Sequence, residues 1–335
     1  MRPFAILRIA LLALPASLLA ASGDALEAQS DPTSSGTVLR VSSDLVLIDV
    51  MASDRGNGTP DSSLKRGDFQ VLDDGRPVSI KTFDAGTTLR PLALWFVVQC
   101  NMKGWEANGS GLFAGQIGRF DPALNLLDKQ DKVAVAVWCD NGDAKLDLMP
   151  TSNTAQAAPV LEQTLAPVVD PPNHDRPGEL ALQKTLQLIV NATHSLADET
   201  LPVVVFLYGD YSAMPKSEAD HFVDELLGTS AIVYGIRDRR SPRIGSFSMT
   251  HEQRAIANYI ATQTGGQYLT VTPEEYATGL ERIIEQLHFR YELGFKPETL
   301  DGKRHQLRVK LAGAAIGRHK GVHLQYRSAY VPIAK

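Results

Sequence analysis

Polar side chains follow directly after an apolar segment in LWFVVQCNMKGW, residues 94–105. The run from Leu94 to Val98 predicts a buried strand, and Gln99, Asn101 and Lys103 come next in the chain. In open α/β folds, ligands bind where the carboxyl ends of parallel strands pass into loops. The stretch therefore predicts the ligand-binding edge of a sheet, although it carries no recognisable catalytic set.

Other residues that could do chemistry are isolated from one another. The chain has no Gly-x-Ser-x-Gly elbow, His-Glu-x-x-His helix, P-loop or Cys-x-x-Cys pair. His319 and His323 would share a face only in a regular strand, so a metal pair there is the less favoured interpretation. GSGLFAG, residues 109–115, lacks the spacing of a phosphate-binding loop and is interpreted as a flexible loop. We therefore expect a protein that is not an enzyme.

Charge excludes one class of partner and leaves another open. The net charge of −5 gives no general affinity for nucleic acid. RDRRSPRIGS, residues 237–246, follows a predicted strand and includes Arg239. Such a segment could meet an acidic partner, although runs of this kind more often form solvated loops.

Four almost wholly apolar segments predict the strands that position this edge: Leu92–Val98, Val133–Trp138, Val203–Leu207 and Ile232–Ile236. Strands of this composition are covered on both faces, which predicts an α/β fold with a mainly parallel sheet. Amphipathic segments that predict helices lie between them, at 112–128, 155–166, 178–196, 216–227 and 251–264. CDNGDAKLDLMP, residues 139–150, predicts a turn and an antiparallel edge strand.

A last strand and helix follow in the sequence. QYLTV, residues 267–271, predicts a strand after the helix-stop signal Gly265-Gly266. Thr272, Pro273 and Glu275 predict the first turn of a helix that runs to about Phe289.

Short β segments flank this α/β region on both sides, at 37–87 and 290–335. In DFQVLDDGRPVSIKTF, residues 68–83, Phe69 to Leu72 predict one strand of a hairpin and Asp74-Gly75 its turn. The residues from Val78 to Phe83 predict the other strand.

The amino terminus predicts export. Arg2 and Arg8 flank the start of an apolar run that small residues follow, which is the plan of a secretory signal peptide. We expect residues 1–23 to be the signal peptide and residues 24–36 to be a linker; cleavage near Ala28 and an uncleaved anchor are the alternatives. The mature protein is then secreted or periplasmic, without a transmembrane helix.

Three blocks together resemble the von Willebrand factor A (VWA)-related proteins that bacteria export. They are LIDVMASDRGNGTPDSSLKRGDFQVLDDGRPVSIKTF, IANYIATQTGGQYLTVTPEEYATGLERIIEQLHFRYELGFKP and DGKRHQLRVKL. The resemblance implies a doubly wound sheet flanked by helices, at residues 90–289, and β flanks that pack together as a small accessory domain.

VWA domains bind a divalent cation at the carboxyl edge of the sheet, and the resemblance locates the corresponding residues. Gln99 stands where the first carboxylate is expected, Lys103 puts an ammonium group beside it, and Glu179 replaces a threonine. Asp210 lies one residue beyond the expected third position. Mg²⁺ requires well-placed charged oxygens, so we expect no metal and no other cofactor at this edge. If a metal does bind, Asn101, Glu179 and Asp210 are its expected ligands. A further alternative is that the edge binds no ligand of any kind.

The resemblance also makes the strands before Cys100 and Cys139 parallel neighbours. Both thiols would then lie at one edge of the sheet, where strands are about 4.8 Å apart. We expect a disulfide in an exported protein, and two reduced thiols are the alternative.

These observations favour a non-enzymatic module that binds a protein or cell-surface partner through this edge. Its expected contacts are Gln99, Asn101, Lys103, Trp105, Glu179, Tyr208, Asp210, Tyr211 and Arg239. A Mg²⁺- or Mn²⁺-dependent adhesion or chaperone-like module and a hydrolase of unrecognised type are the alternatives.

Overall fold

The fold combines a mainly parallel central sheet, smaller antiparallel sheets and seven helices in the part of the chain that the structure describes. This computed structural model describes residues 45–56, 58–86, 89–99, 120–138, 144–165, 179–194, 199–208, 213–239 and 253–332. The strands are β1 (Val46–Asp54), β2 (Phe69–Asp73), β3 (Arg76–Val78), β4 (Ile80–Ala85), β5 (Leu92–Gln99), β6 (Lys132–Trp138), β7 (Ala144–Thr151), β8 (Leu201–Tyr208), β9 (Ala213–Pro215), β10 (Ile232–Asp238), β11 (Gln253–Ala255), β12 (Tyr268–Val271), β13 (Tyr291–Phe295), β14 (His305–Leu311), β15 (Val322–Gln325) and β16 (Ala329–Tyr330). The helices are α1 (Asp121–Leu124), α2 (Ala157–Leu165), α3 (Glu179–His194), α4 (Lys216–Gly228), α5 (Ile256–Thr264), α6 (Tyr276–His288) and α7 (Gly313–Arg318).

The central sheet has six strands in the order β12-β10-β8-β5-β6-β7. Five run parallel, and β7 pairs antiparallel with β6 at one edge. Consecutive residues of β5, such as Trp95 and Phe96, are both buried, so the sheet is covered on both faces. Each such side chain contributes about 1.5–3 kcal/mol through burial. The predicted α/β fold with a mainly parallel sheet is confirmed.

Strands from the two flanks share two further four-stranded sheets. Their orders are β15-β1-β13-β4 and β16-β14-β2-β3. Strands from before and after the central sheet alternate in the first, whereas in the second β14 from the carboxyl-terminal flank pairs with β2 from the amino-terminal flank. The two sheets enclose a second core, in which Phe69 contacts Tyr291 with ring centroids 5.2 Å apart and Phe295 contacts Tyr330 at 5.4 Å. All described residues belong to one compact unit, and the subdivision into domains at 37–87, 90–289 and 290–335 remains a prediction.

The hairpin prediction for residues 69–83 is wrong in its second strand. The Asp74-Gly75 turn is present, with φ angles of 46° and 83° that suit a two-residue hairpin. The returning strand β3 stops at Val78, and β4 crosses to the other sheet, where it pairs with β13. Pro77 has no N–H to donate, which suits β3 to the edge of its sheet.

Three helix predictions need correction. The helix predicted from Thr272 begins with a 3-10 turn at Pro273–Glu275, and α6 follows it. Within 112–128, the described residues form only the short helix α1, and residues 253–255 form β11 rather than the start of α5.

The helix α7 was not predicted, because GAAIGR has no apolar stripe and only Ala315 in it is buried. It ends just before His319, whereas His323 lies in β15. The two histidines are therefore in different elements, and the alternative of a metal pair on one strand is wrong.

No helix in the described ranges is long and apolar enough to cross a membrane. The predicted signal peptide, residues 1–23, and the linker, residues 24–36, lie outside those ranges.

Candidate functional site

The carboxyl ends of four central strands meet at one edge of the sheet, which we call the carboxyl edge. Gln99 ends β5 and pairs in register with Trp138 at the end of β6. Tyr208 ends β8 and pairs with Arg237 near the end of β10. Because β5 and β8 are hydrogen-bonded neighbours, the backbone at Gln99 and at Tyr208 lies on adjacent strand ends.

The structure describes only part of the predicted binding residues. Gln99 and Tyr208 are placed by their backbone at the carboxyl edge, and Glu179 is the first residue of α3. Arg239 directly follows β10 at the same edge. The other predicted contacts and both cysteines lie outside the described residues: Cys100, Asn101, Lys103, Trp105, Cys139, Asp210 and Tyr211.

Arg239 is the one predicted contact whose side chain the structure describes. Its backbone N–H donates to the carbonyl of Val271 at 2.6 Å, which fixes the strand end. Its guanidinium lies 3.9 Å from the carboxylate of Glu275, and the two side chains are 63% and 54% exposed. An exposed pair at this distance contributes less than about 1 kcal/mol, so Arg239 can exchange Glu275 for another anionic group at little cost.

A two-stranded ribbon that the sequence did not predict joins the segments beyond β8 and β10. It consists of β9 and β11, which pair antiparallel from Ala213 to Pro215 and from Gln253 to Ala255. β9 directly precedes α4 and β11 directly precedes α5, so the ribbon holds the starts of these two helices together. Three-residue strands carry too little periodicity to be recognised from sequence.

Charged side chains near the start of α4 form an internal network rather than an open site. Asp220 accepts hydrogen bonds from Lys216 and from the hydroxyl of Tyr259, and Arg304 binds Asp224. Burial alone would raise the pKa of Asp220, but the hydrogen bonds from Lys216 and Tyr259 outweigh it and lower that pKa. These groups satisfy one another, and Arg304 ties the segment just before β14 to α4.

The opposite edge of the central sheet contains a cleft of about 460 Å³. Asp131 and His288 line it, and the histidine Nε2 lies 3.0 Å from one oxygen of Asp131. The backbone N–H groups of Leu92 and Asp128 donate to the same carboxylate at 2.7 and 2.8 Å. Both oxygens of Asp131 therefore already have partners, and the carboxylate serves to fix the start of β5.

A buried ion network attaches the flanking sheets at this opposite edge. Arg290 in the link between α6 and β13 donates to Asp49 of β1 at 2.8 Å, and Arg90 contacts Asp49 at 3.1 Å and Glu292 at 2.7 Å. Arg327 donates to the carbonyls of Leu47 and Leu227. This network was not predicted from the sequence, although a charged residue between a buried helix and a buried strand, as Arg290 is, indicates one.

One Ser–Asp–His grouping resembles a hydrolytic site but has the wrong order. The hydroxyl of Ser63 donates to Asp61 at 2.6 Å, and Asp61 also contacts the Nδ1 of His319 at 3.1 Å. In a catalytic triad the histidine stands between the serine and the carboxylate and removes the serine proton. Here the carboxylate stands between them, so the grouping cannot activate Ser63 in that way.

Comparisons with known proteins match the chain only at the level of structure. No family model and no curated protein matches it. A von Willebrand factor type A protein from Catenulispora acidiphila is 10% identical, with a TM-score of 0.44, over 78% of this chain and 72% of that one.

Two further structures cover less of this chain. The von Willebrand factor domain of the type V pili tip protein Mfa5 from Porphyromonas gingivalis is 11% identical, with a TM-score of 0.36, over 59% of this chain and 95% of that one. An aerotolerance-related membrane protein from Bacteroides fragilis is 16% identical, with a TM-score of 0.33, over 58% and 99%. These values concern the fold and not an activity. The mainly parallel six-stranded sheet with its helices fits the α/β fold that the resemblance of the three sequence blocks to von Willebrand factor A-related proteins implies.

Proposed function

We propose that this protein is an exported, non-enzymatic interaction module that binds a protein or cell-surface partner through the carboxyl edge. The observation that carries the proposal is the meeting of the carboxyl ends of β5, β8 and β10 at one edge, with the exposed and weakly paired Arg239 beside them. Open α/β sheets bind their ligands at such an edge.

The opposite edge supports the same choice, because its polar groups are engaged within the chain. Asp49 and Arg290 are 4% and 1% exposed, and both oxygens of Asp131 accept hydrogen bonds. A partner that bound there would have to break these contacts, each worth about 1.5–3 kcal/mol when a charged group takes part.

Recognition at the carboxyl edge is proposed to use side chains without a cation. Gln99 brings a neutral amide where a carboxylate would hold Mg²⁺, and Lys103 brings a positive charge. Trp105, Tyr208, Tyr211 and Arg239 belong to the residue types that most often dominate binding energy at protein interfaces.

A comparative capture experiment tests this proposal. The mature protein and its Tyr208→Ala/Arg239→Glu variant are immobilised and exposed to a cell-envelope extract, and Arg76→Glu serves as the matched control because its side chain is 77% exposed on β3. We expect at least one species that the native protein and the control retain and that the edge variant loses at least about tenfold, about 1.4 kcal/mol. Capture of nothing reproducible, or equal capture by all three proteins, contradicts the proposal.

A Mg²⁺- or Mn²⁺-dependent adhesion module is the second candidate. Glu179 at the first position of α3 favours it, because the corresponding helix start supplies a ligand in VWA domains. Calorimetry with Mg²⁺, Mn²⁺ and Ca²⁺ separates the candidates: micromolar binding that an Asp210→Ala variant loses supports the adhesion module. Our proposal predicts that none of these three ions gives a measurable heat of binding to the native protein.

A disulfide between Cys100 and Cys139 is part of the proposed edge. The register supports it, because Gln99 and Trp138, the residues before the two cysteines, are paired across β5 and β6. The bond would tie two edge loops and stabilise the fold by about 2–4 kcal/mol. Non-reducing peptide mapping of the exported protein should recover the two cysteines in one linked peptide; two freely alkylated thiols contradict the bond.

A further inference from the structure

A second polar cluster lies in the flanking sheets, away from the residues of the carboxyl edge. Asp73 ends β2, Asp74 follows in the turn, and His305 begins β14 beside them. The Nδ1 of His305 lies 2.9 Å from an oxygen of Asp74 and 3.6 Å from Oδ1 of Asp73. The three potential ligand atoms lie within 4.8 Å of one another.

These distances suit a tetrahedral metal ion. Zn²⁺ binds imidazole nitrogen and carboxylate oxygen at about 2.0–2.1 Å, so two ligands at the tetrahedral angle are about 3.3 Å apart. The measured separations from Nδ1, 2.9 and 3.6 Å, fall on either side of that value. Small side-chain rotations would therefore admit an ion.

An unpartnered oxygen supplies independent evidence for a missing ligand. Asp73 is 7% exposed at its side chain, and its Oδ2 accepts a hydrogen bond from the hydroxyl of Tyr330 at 2.8 Å. Its Oδ1 is buried, faces Nδ1 of His305 and has no hydrogen-bond partner. A buried carboxylate oxygen without a partner is costly, and a cation would offset that cost.

The surroundings of His305 also suit coordination through Nδ1. Its other nitrogen, Nε2, lies 3.1 Å from an oxygen of Asp301. A carboxylate that accepts the second ring N–H fixes the tautomer and orientation of metal-binding histidines. A metal ion here would bind the neutral ring, with Nε2 donating to Asp301 and the lone pair of Nδ1 directed at the ion.

The cluster at the opposite edge of the central sheet provides an internal comparison. Asp128, Asp131 and His288 also bring potential ligand atoms within 4.8 Å of one another. Both oxygens of Asp131 already accept hydrogen bonds there, so binding of a cation would break existing contacts. The cluster around His305 has the buried unpartnered oxygen that this one lacks.

We propose that Asp73, Asp74 and His305 bind one divalent transition-metal ion of the Zn²⁺ class, with the fourth position taken by water. A mixed nitrogen and carboxylate set suits Zn²⁺ and disfavours Mg²⁺ and Ca²⁺, which prefer oxygen ligands. The ion would link the β2–β3 turn to β14 and stabilise the flanking sheets by mass action. The proposal is independent of the carboxyl edge.

The test is a Zn²⁺ titration of the untagged full-length protein, stripped with chelator and dialysed, followed by calorimetry. His305→Gln removes the nitrogen ligand, and Asp74→Asn removes an oxygen ligand from a side chain that is 53% exposed, so that the fold is retained. His323→Gln is the matched control, because His323 is exposed on β15, a strand of the other flanking sheet. We expect one equivalent to bind with a micromolar Kd, at least about 30-fold weaker in both ligand variants and unchanged in the control.

Thermal unfolding and Co²⁺ absorption complete the test. Zn²⁺ should raise the Tm of the native protein and of His323→Gln, and it should leave the Tm of His305→Gln and Asp74→Asn unchanged. Co²⁺ should give a tetrahedral absorption band in the native protein and in His323→Gln, and no such band in His305→Gln or Asp74→Asn at the same concentration. Absence of Zn²⁺ binding by the native protein, or equal affinity in His305→Gln, overturns the proposal and leaves His305 as an imidazolium held between carboxylates.

Discussion

Removal of Asp49 tests whether the buried ion network holds the flanking sheets to the central sheet. An Asp49→Ala variant leaves the guanidinium of Arg290, which is 1% exposed, without its only carboxylate partner in the described contacts. Arg290 still donates to the carbonyls of Leu287 and Arg90 at 2.7 and 2.6 Å, and Arg90 keeps Glu292 at 2.7 Å. Breaking a buried pair from one side costs about 3–5 kcal/mol, because a buried charge remains uncompensated. We expect the free energy of unfolding to fall by that amount.

Urea unfolding followed by tryptophan fluorescence measures this loss, with the buried Trp95 as a probe inside the central sheet. The control is Glu298→Ala, which breaks the ion pair between Arg76 and Glu298. The two side chains of that pair are 77% and 68% exposed, respectively. That variant should lose less than about 1 kcal/mol, since exposed pairs contribute little. A loss below about 1 kcal/mol for Asp49→Ala as well would refute the assigned role of the network.

Two further variants test close packing and acid stability. Gly266→Ala should reduce the free energy of unfolding by about 1–3 kcal/mol in the same urea assay, because its Cβ would lie 1.8 Å from the carbonyl oxygen of Val233 and the backbone would have to move. Burial alone would raise the pKa of Asp131, but hydrogen bonds from His288 and the backbone of Leu92 outweigh it and hold that pKa below 3.8. The carboxylate therefore stabilises the fold above about pH 4, and this stabilisation is lost as the pH falls through the lowered pKa. An Asp131→Asn variant should lose about 2–3 kcal/mol at pH 7 and show a smaller further loss below pH 4 in acid titrations.

Each of these variants has a control substitution of the same kind that should cost less stability. Gly67→Ala is the control for Gly266, because a Cβ at Gly67 meets nothing within 4 Å. Asp128→Asn is the control for Asp131→Asn, because it keeps the backbone N–H of residue 128 that donates a hydrogen bond to Asp131. Equal losses in either pair would contradict the contacts on which the predictions rest.

The central sheet could be predicted from sequence because its strands are buried on both faces. A run such as LALWFVV in β5 has no polar position before Gln99, and its length and β-branched content distinguish it from a helix. The edge at its carboxyl end follows directly, since the polar residues begin where the sheet stops. Residues that are close together in the sequence are sufficient to predict both the strand and this edge.

The flanking sheets could be predicted only as β structure, because their pairing is non-local. The exchange of sheets at Ser79, between β3 and β4, leaves no mark on the alternation of apolar residues. The cluster of Asp73, Asp74 and His305 joins positions more than 200 residues apart through the register of β2 and β14. Spacing in the sequence cannot show such a contact, whereas strand pairing places it directly.

The most direct test of the central claim, that the carboxyl edge recognises its partner without a cation, is anomalous diffraction from crystals grown in Mn²⁺. We predict no anomalous peak within about 2–3 Å of any side-chain oxygen at residues 99, 179 or 210. A peak at that edge, coordinated by these residues at about 2.1 Å, would contradict the account and favour a metal-dependent adhesion module.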